Sequence, residues 1–305
     1  NTKERPLGFA AHMDQIEPCR NVNPVINGNI ISTDKTTTLG GDDKAGISAI
    51  MEAVEDIIES GVPHRDIYLV FTCSEEISMM GTKHMDMSML PCKELVVVDA
   101  TGGAETLAYK APAMEAIEIT FKGKKAHAGI EPEKGINAIV VASKAISKMH
   151  IGRIDYETTS NIGHIEGGSA TNIVTDEVTF TAEIRSHSME KLAAEVTHME
   201  QCCKEAVEEM GACYEMKHEM AYPVLSLEED CELIQDTVNA MAEERITANK
   251  MIIGGGSDAN VLAGHGYKSV ILGCGMINVH TVEEALDTDE TWKVTKVLRR
   301  LMGAE

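Results

Sequence analysis

Six short stretches of the chain put ionisable side chains where an apolar, strand-like run gives out. They are Ala11-His12-Met13-Asp14, Gly41-Asp42-Asp43-Lys44-Ala45-Gly46, Ser74-Glu75-Glu76, Val98-Asp99, Ala126-His127-Ala128-Gly129 and Val279-His280-Thr281. Imidazoles and carboxylates gathered at strand ends are the donor set of a divalent-metal hydrolase. His12 and Asp14 flank Met13, so a strand period of two points both to one face. A strand-end histidine can bind zinc through one ring nitrogen while a carboxylate two residues on fixes the tautomer through the other. Asp42 stands before a strong helix and is well placed as an N-cap. The Gly40-Gly41 pair ahead of it also permits close backbone approach to a site, where a carboxylate bridging two metals would fit. Glu75 and Glu76 are adjacent acids, costly at a strand end unless a cation or water solvates them. Pointing to different sides, they suit either one ligand and one general base or two solvated loop acids. Asp99 closes the run Leu95–Val98 at the sheet edge where open α/β proteins bind ligands. His280 could add a second histidine ligand, and His127 on local evidence reads first as a plain surface histidine. In Gly254-Gly255-Gly256-Ser257-Asp258 the glycines lack the ending of a phosphate loop. A tight turn offering backbone N–H groups to a substrate anion fits better, with Gly255 and Ser257 as contacts.

The elements that must position these groups follow from periodicity. Leu7–Ala11, Asp66–Thr72 and Glu94–Val98 are nearly continuous apolar strands, as expected when both faces of a parallel sheet are covered. Ile47, Ile50, Met51, Val54, Ile57 and Ile58 mark a helix over 42–60, ended by Gly61 and Pro63. Another helical stretch is expected over 81–89. The middle of the chain changes character. Residues 116–123 alternate apolar and polar, as an antiparallel strand with one wet face does. A helix over 136–149, strands over 159–165 and 177–184, a long amphipathic helix over 189–210 and a strand over 214–220 complete that part. After Pro223 the α/β pattern resumes to a last helix over 289–302. The expected architecture is a doubly wound, mostly parallel-sheet α/β catalytic domain (1–112 and 223–305) carrying an inserted α+β lid or dimerisation domain (113–222).

The chain's 305 residues suffice for a large core, and its formal net charge of −22 excludes nucleic acid and anionic membrane surfaces as partners. No apolar run approaches the ~20 residues of a membrane span. Eight cysteines without a CxxC pair read as reduced thiols in a reducing compartment, so the cytoplasm is the expected location. The N-terminus has neither an initiator Met nor the h-region of a signal peptide, and a processed or truncated chain is the expectation.

Together the segments HMD, LGGDDKAG, FTCSEE, VVVDA, KKAHAGIEPEKGINAI, ETTSNIGHIEGGSATNIV, EIRSH, GGGSDAN and NVHTVEE resemble, in order, the peptidase T-like branch of the co-catalytic zinc exopeptidases. That group also holds glutamate carboxypeptidases and aminoacylases. The resemblance implies Asp42 as a bridging ligand between two divalent metals, zinc first with cobalt or manganese as alternatives. It implies His12 and Asp99 on one metal, Glu76 and His280 on the other, Asp14 orienting His12, and Glu75 as general base and acid. It further implies that His127, Asn172 and Arg185 of the inserted domain hold a short peptide, and that the chain is a homodimer in which His127 serves the partner's site. Ser78 and Gln15 depart from the family's usual Gly and Thr, and the segment before the first strand is several dozen residues shorter than in relatives. The expected activity is metal-dependent exopeptidase action on short peptides from the amino end. A deacylase or carboxypeptidase of the same group would use the same metal site, and a non-catalytic binding homologue would have little reason to retain Glu75.

Overall fold

The computed structural model describes residues 5–303. They fall into two compact units, one made of the chain up to Ala111 and from Leu225 onward, the other Pro112–Val224. In chain order the first unit opens with Leu7–His12 (β1), the hairpin Pro24–Asn27 (β2) and Ile30–Thr33 (β3), and Gly41–Ser60 (α1). Ile67–Thr72 (β4), Met80–Lys83 (α2), Glu94–Thr101 (β5) and Thr106–Ala111 (β6) follow. The second unit holds Ala113–Lys122 (β7), Ala138–Ile146 (α3), Gly152–Arg153 (β8), Thr158–Gly167 (β9), Glu177–Ser186 (β10), Met189–Met210 (α4) and Cys213–Tyr222 (β11). The first unit then resumes with Leu225–Ser226 (β12), Glu232–Glu243 (α5), Asn249–Ile252 (β13), Asp258–Gly264 (α6), Lys268–Ile277 (β14), Ala285–Asp287 (β15) and Thr288–Met302 (α7).

The first unit is built on one sheet whose centre, β14-β5-β1-β4, is parallel throughout. Alternation within these strands explains their unbroken apolar runs. On β5, Val96 and Val98 enter the core that α1, α5 and α7 cover, whereas Leu95 and Val97 enter the core beside α6. Leu7, Phe9 and Ala11 of β1 likewise face the first core and Ala10 the second. The β2–β3 hairpin and β15 extend the sheet antiparallel at one edge. The helix expected over 81–89 is two separate turns. The first ends at Lys83 with His84 as its C-cap, and Asp86 caps a 3₁₀ turn over Met87–Met89, its carboxylate accepting the Ser88 N–H at 3.0 Å.

The second unit is an antiparallel sheet in the order β11-β7-β10-β9-β8 with α3 and α4 against it. Ile117, Ile119 and Phe121 of β7 and Val178, Phe180 and Ile184 of β10 share one core with Val141, Met199, Cys203 and Ala206 of the helices. Both helices have side-chain N-caps: Asn137 accepts from Ile139 N–H, and Ser188 from Lys191 N–H.

Candidate metal centre

Parallel strands leave all their carboxyl ends on one edge of the sheet, and that edge is where the ionisable residues of the first unit meet. Register brings the first pair together. Ala10 pairs with Val97 between β1 and β5, so two residues on His12 faces Asp99, and its Nε2 lies 3.6 Å from Asp99 Oδ1. His12 also pairs with Thr72, the last residue of β4, which places the following Glu75-Glu76 turn alongside. Asp14 holds that turn: its Oδ1 accepts the Glu75 N–H at 3.0 Å and its Oδ2 the Glu76 N–H at 3.2 Å. Asp14 Oδ1 also stands 3.4 Å from His12 Nδ1.

Asp42 is the centre of the arrangement. Its Oδ1 lies 2.8 Å from His12 Nε2, and its Oδ2 lies 3.2 Å from His280 Nε2. His280 Nε2 is in turn 3.0 Å from Glu76 Oε2. One carboxylate therefore faces His12 with Asp99 through one oxygen and His280 with Glu76 through the other. The N-cap role open to Asp42 belongs instead to its neighbour. Neither Asp42 nor Asp43 has helical dihedrals, and Asp43 Oδ1 accepts the Gly46 N–H at 3.1 Å where the regular helix begins. Asp43 Oδ2 accepts the His12 N–H at 3.3 Å, so this fully buried carboxylate braces both β1 and α1. The ligand-type atoms of His12, Asp42 and Glu76, and those of His12, Asp43 and Asp99, lie within 4.8 Å of one another. Because backbone donors occupy both oxygens of Asp43, Asp42 is the better of the two as a cation ligand.

The electrostatics are those of a site built for positive charge. Burial works against a charged His12, but hydrogen bonds to Asp42 and Asp99 and the charges of Asp99 and Asp43 outweigh it and push its pKa up to about 12. Burial, followed by the Asp99 charge, raises Glu75 to about 9, and burial with the Asp42 charge raises Glu76 to about 7. Burial likewise raises Asp99, against the pull of His12. Glu76 Oε1 is buried without a hydrogen-bond partner, and His12 Nδ1 faces only Asp14 Oδ1, at 3.4 Å. A ring nitrogen, His12 Nε2, and carboxylate oxygens crowded in this way, one of them orphaned, fit divalent cations of the zinc, cobalt or manganese type.

These groups open into a cleft of about 480 Å³ bordered by Asp42, Glu75, Asp99 and His280. Met251, Ile252 and Ile253, with Ile271 and Met276, form an apolar wall, and no Lys or Arg is among the described residues lining it. The Gly254–Gly256 backbone borders the same space, Gly255 among it, as does Ser257. Ser257 itself serves α6: its N–H goes to Asn260 Oδ1 at 3.0 Å and its hydroxyl accepts from Ala259, a reciprocal cap.

His127, Asn172 and Arg185 belong to the second unit. Ala128 N–H donates to the Asn172 carbonyl at 3.0 Å, tying the His127 loop to the Asn172 loop. His127 Nδ1 accepts the Gly129 N–H at 3.2 Å, which in the neutral ring leaves Nε2 as the N–H donor. Arg185, on β10, meets Glu183 through Nε at 2.9 Å and a terminal nitrogen at 3.0 Å.

Two acids beyond the expected set also shape the site. Glu284, 2% exposed, accepts the N–H groups of Leu39, Gly40 and Asp42. Asp258, also 2% exposed, accepts the hydroxyls of Thr72 and Thr82 at 2.5 Å each, on either side of the Glu75-Glu76 turn. The one sequence hint is a doubled acid at 283–284, the pattern that drew notice at 75–76.

Residues 114–211 match the family described as Peptidase dimerisation domain, and residues 15–124 match M42 glutamyl aminopeptidase. The uncharacterized protein YqjE of Bacillus subtilis (strain 168) is 41% identical over 290 residues, covering 95% of this chain and 78% of that protein. The crystal structure of aminopeptidase PepT from Bacillus cereus ATCC 10987 superposes with a TM-score of 0.91 at 36% identity, over 99% of this chain and 81% of that one. A tripeptidase from Staphylococcus aureus subsp. aureus Mu50 gives a TM-score of 0.94 at 35% identity, over 98% and 80% respectively.

Proposed function

The chain belongs to the peptidase T-like M20 metallopeptidases, and from that membership we propose that it is a two-metal aminopeptidase cleaving short peptides, tripeptides among them. The observation that carries this reading is the split of Asp42, one oxygen to His12 and the other to His280. We assign His12 and Asp99 to one cation, Glu76 and His280 to the other, and Asp42 to both. Two divalent cations held there would supply Lewis acidity towards a scissile carbonyl and acidify a water between them.

The chain's own residues do the rest. Asp14 fixes the backbone of Glu75 and faces His12 Nδ1, orienting both. Glu75 borders the cleft without a ligand's place in either set, and takes a proton from the attacking water to return it to the leaving amine. The apolar wall accepts the first side chain. The carboxylates, unaccompanied by Lys or Arg in the cleft lining, suit a terminal ammonium better than a terminal carboxylate. In the homodimer that the resemblance implies, His127, with Nε2 as donor, would stabilise the oxyanion in the partner's site, with Asn172 and Arg185 holding the rest of the peptide. Gly255 offers backbone to it, and the Ser257 cap keeps that loop in place. The match of 114–211 to a dimerisation domain supports a homodimer through this unit. Eight free cysteines suit a reducing cytoplasm, and zinc is the first choice of metal.

The test is Glu75→Gln, assayed on a tripeptide such as Leu-Gly-Gly beside metal analysis. Two equivalents of metal are expected to remain while kcat falls about 10²–10⁴-fold. Retained turnover in the variant sinks the base assignment. Wild-type preference for N-acyl amino acids over tripeptides replaces the aminopeptidase reading with a deacylase.

A further inference from the structure

Glu284 stands four residues after His280 and more than two hundred after the loop it touches. Its Oε2 accepts the N–H of Leu39 at 2.7 Å and of Gly40 at 3.0 Å, while its Oε1 accepts the N–H of Asp42 at 3.0 Å. Both oxygens are thus used, on the three residues that set the direction of the Asp42 side chain. The approach depends on glycine: Gly40 is left-handed at φ 78°, and a Cβ on Gly41 would stand 3.3 Å from Glu284 Oε1. At its other end Glu284 is fixed to His280 by a closed turn. Thr281 Oγ1 donates to the Asn278 carbonyl at 2.8 Å and accepts the Glu283 N–H at 3.1 Å. The Glu284 N–H returns to the Thr281 carbonyl at 3.1 Å. One buried carboxylate therefore joins the loop carrying Asp42 to the loop carrying His280.

We propose that Glu284 is a positioning residue that sets the separation of Asp42 from His280, and so governs occupancy of the cation site made by Asp42, Glu76 and His280. The proposal rests on Asp42 being shared between two cations. The side-chain hydrogen bonds of Glu284 go to the Asp42 loop, whereas His12 and Asp99 are placed by β1 and β5. Because Asp42 serves both cations, loss of Glu284 should weaken both, and weaken more the one that also needs His280. Glutamine keeps only one acceptor oxygen and turns an amide towards N–H groups that need acceptors. Aspartate keeps both oxygens but falls a methylene short. Glu283, exposed and paired with Lys35 Nζ at 2.6 Å, provides the control.

The experiment is a cobalt(II) titration of the metal-free full chain, followed by calorimetry and by the visible absorption of the bound ion. Wild type and E283Q are expected to bind two equivalents. E284Q is expected to lose about 10–100-fold in one equivalent and clearly less in the other. Its turnover should fall in kcat rather than KM at limiting cobalt and recover with excess. E284D should show the same unequal loss, smaller, at about 5-fold. Melting under chelator shows whether each variant folds, and if E284Q does not, E284D decides. Wild-type binding of both equivalents in the deciding variant, or equal weakening of both, overturns the proposal. Fewer than two equivalents in the wild type itself would overturn the shared-ligand reading, and this inference with it.

Discussion

At the scale of single residues the site holds protons where it is expected to hold cations. His12 at about 12 and Glu75 at about 9 are protonated at neutral pH, and Glu76 at about 7 is half so. Each of these pKa values lies above its ordinary one, so the folded metal-free chain binds more protons than the unfolded chain at pH 7. Stability of the metal-free protein should then decline as pH rises, from near pH 4.5 for the carboxyls and pH 6.5 for His12 up through the raised values. Metal must displace those protons, because a ligating imidazole nitrogen and carboxylate bind without them. Calorimetric zinc titrations at pH 7, repeated in buffers of different ionisation enthalpy, are expected to show net release of about two protons for the fully loaded centre. Thermal melts should show the chelated protein losing stability between pH 6 and 9 while the loaded protein changes little. Zinc binding without proton release would mean that His12 is not a ligand.

At the scale of elements, the Glu75-Glu76 turn after β4 is held from two sides. Asp14 takes its backbone N–H groups, and Asp258, at the start of α6, clamps Thr72 at the end of β4 to Thr82 of α2. Asp258→Ala leaves two buried hydroxyls without their acceptor and should cost about 3 kcal/mol. Denaturant melts would measure that loss, and limited proteolysis should show faster cleavage between residues 73 and 81. An unchanged midpoint would show that the clamp contributes nothing. The clamp marks what is legible in the chain and what is not. His12, Asp42, Glu75, Glu76, Asp99 and His280 draw notice because each stands where an apolar run ends or a helix begins, although Asp42 reads equally as an N-cap and only the ordered motifs give each a role. The central strands are legible for the related reason that burial on both faces leaves them no polar alternation. Glu284 and Asp258 act on groups 242–245 and 176–186 residues away, and no local pattern records such a partnership. The β2–β3 hairpin escapes for a different reason. Both β2 and much of its surroundings are exposed, so no hydrophobic period betrays it, although Asn27-Gly28 is a turn signal. The helix expected over 81–89 stops at Lys83 and restarts only as a 3₁₀ turn after Asp86, whose side chain takes a backbone N–H that a continuous helix would use.

At the scale of the whole molecule, the two units differ in how the chain passes through them, and that makes their roles separable. Ala111 pairs with Leu225 in the first unit, so the chain leaves and re-enters at adjacent antiparallel positions. Within the second unit, β7 and β11 pair from Met114 with Tyr222 to Lys122 with Cys213, so its two ends also lie side by side. Each unit has its own buried core, with Phe121 and Phe180 in one and Phe9 and Ile50 in the other. Replacing 112–224 by Asn-Gly should therefore close a two-residue hairpin between β6 and β12 and leave a folded first unit. That protein keeps His12, Asp42, Glu76, Asp99 and His280, and is expected to bind two equivalents of metal. It lacks His127, Asn172 and Arg185, and its tripeptide turnover should fall by at least about 10²-fold, the scale of one lost oxyanion donor. The excised 112–224 segment, expressed alone, should melt cooperatively and sediment as a dimer. Metal binding with full turnover in the shortened chain would remove the second unit from the chemistry. A monomeric 112–224 segment would remove it from assembly.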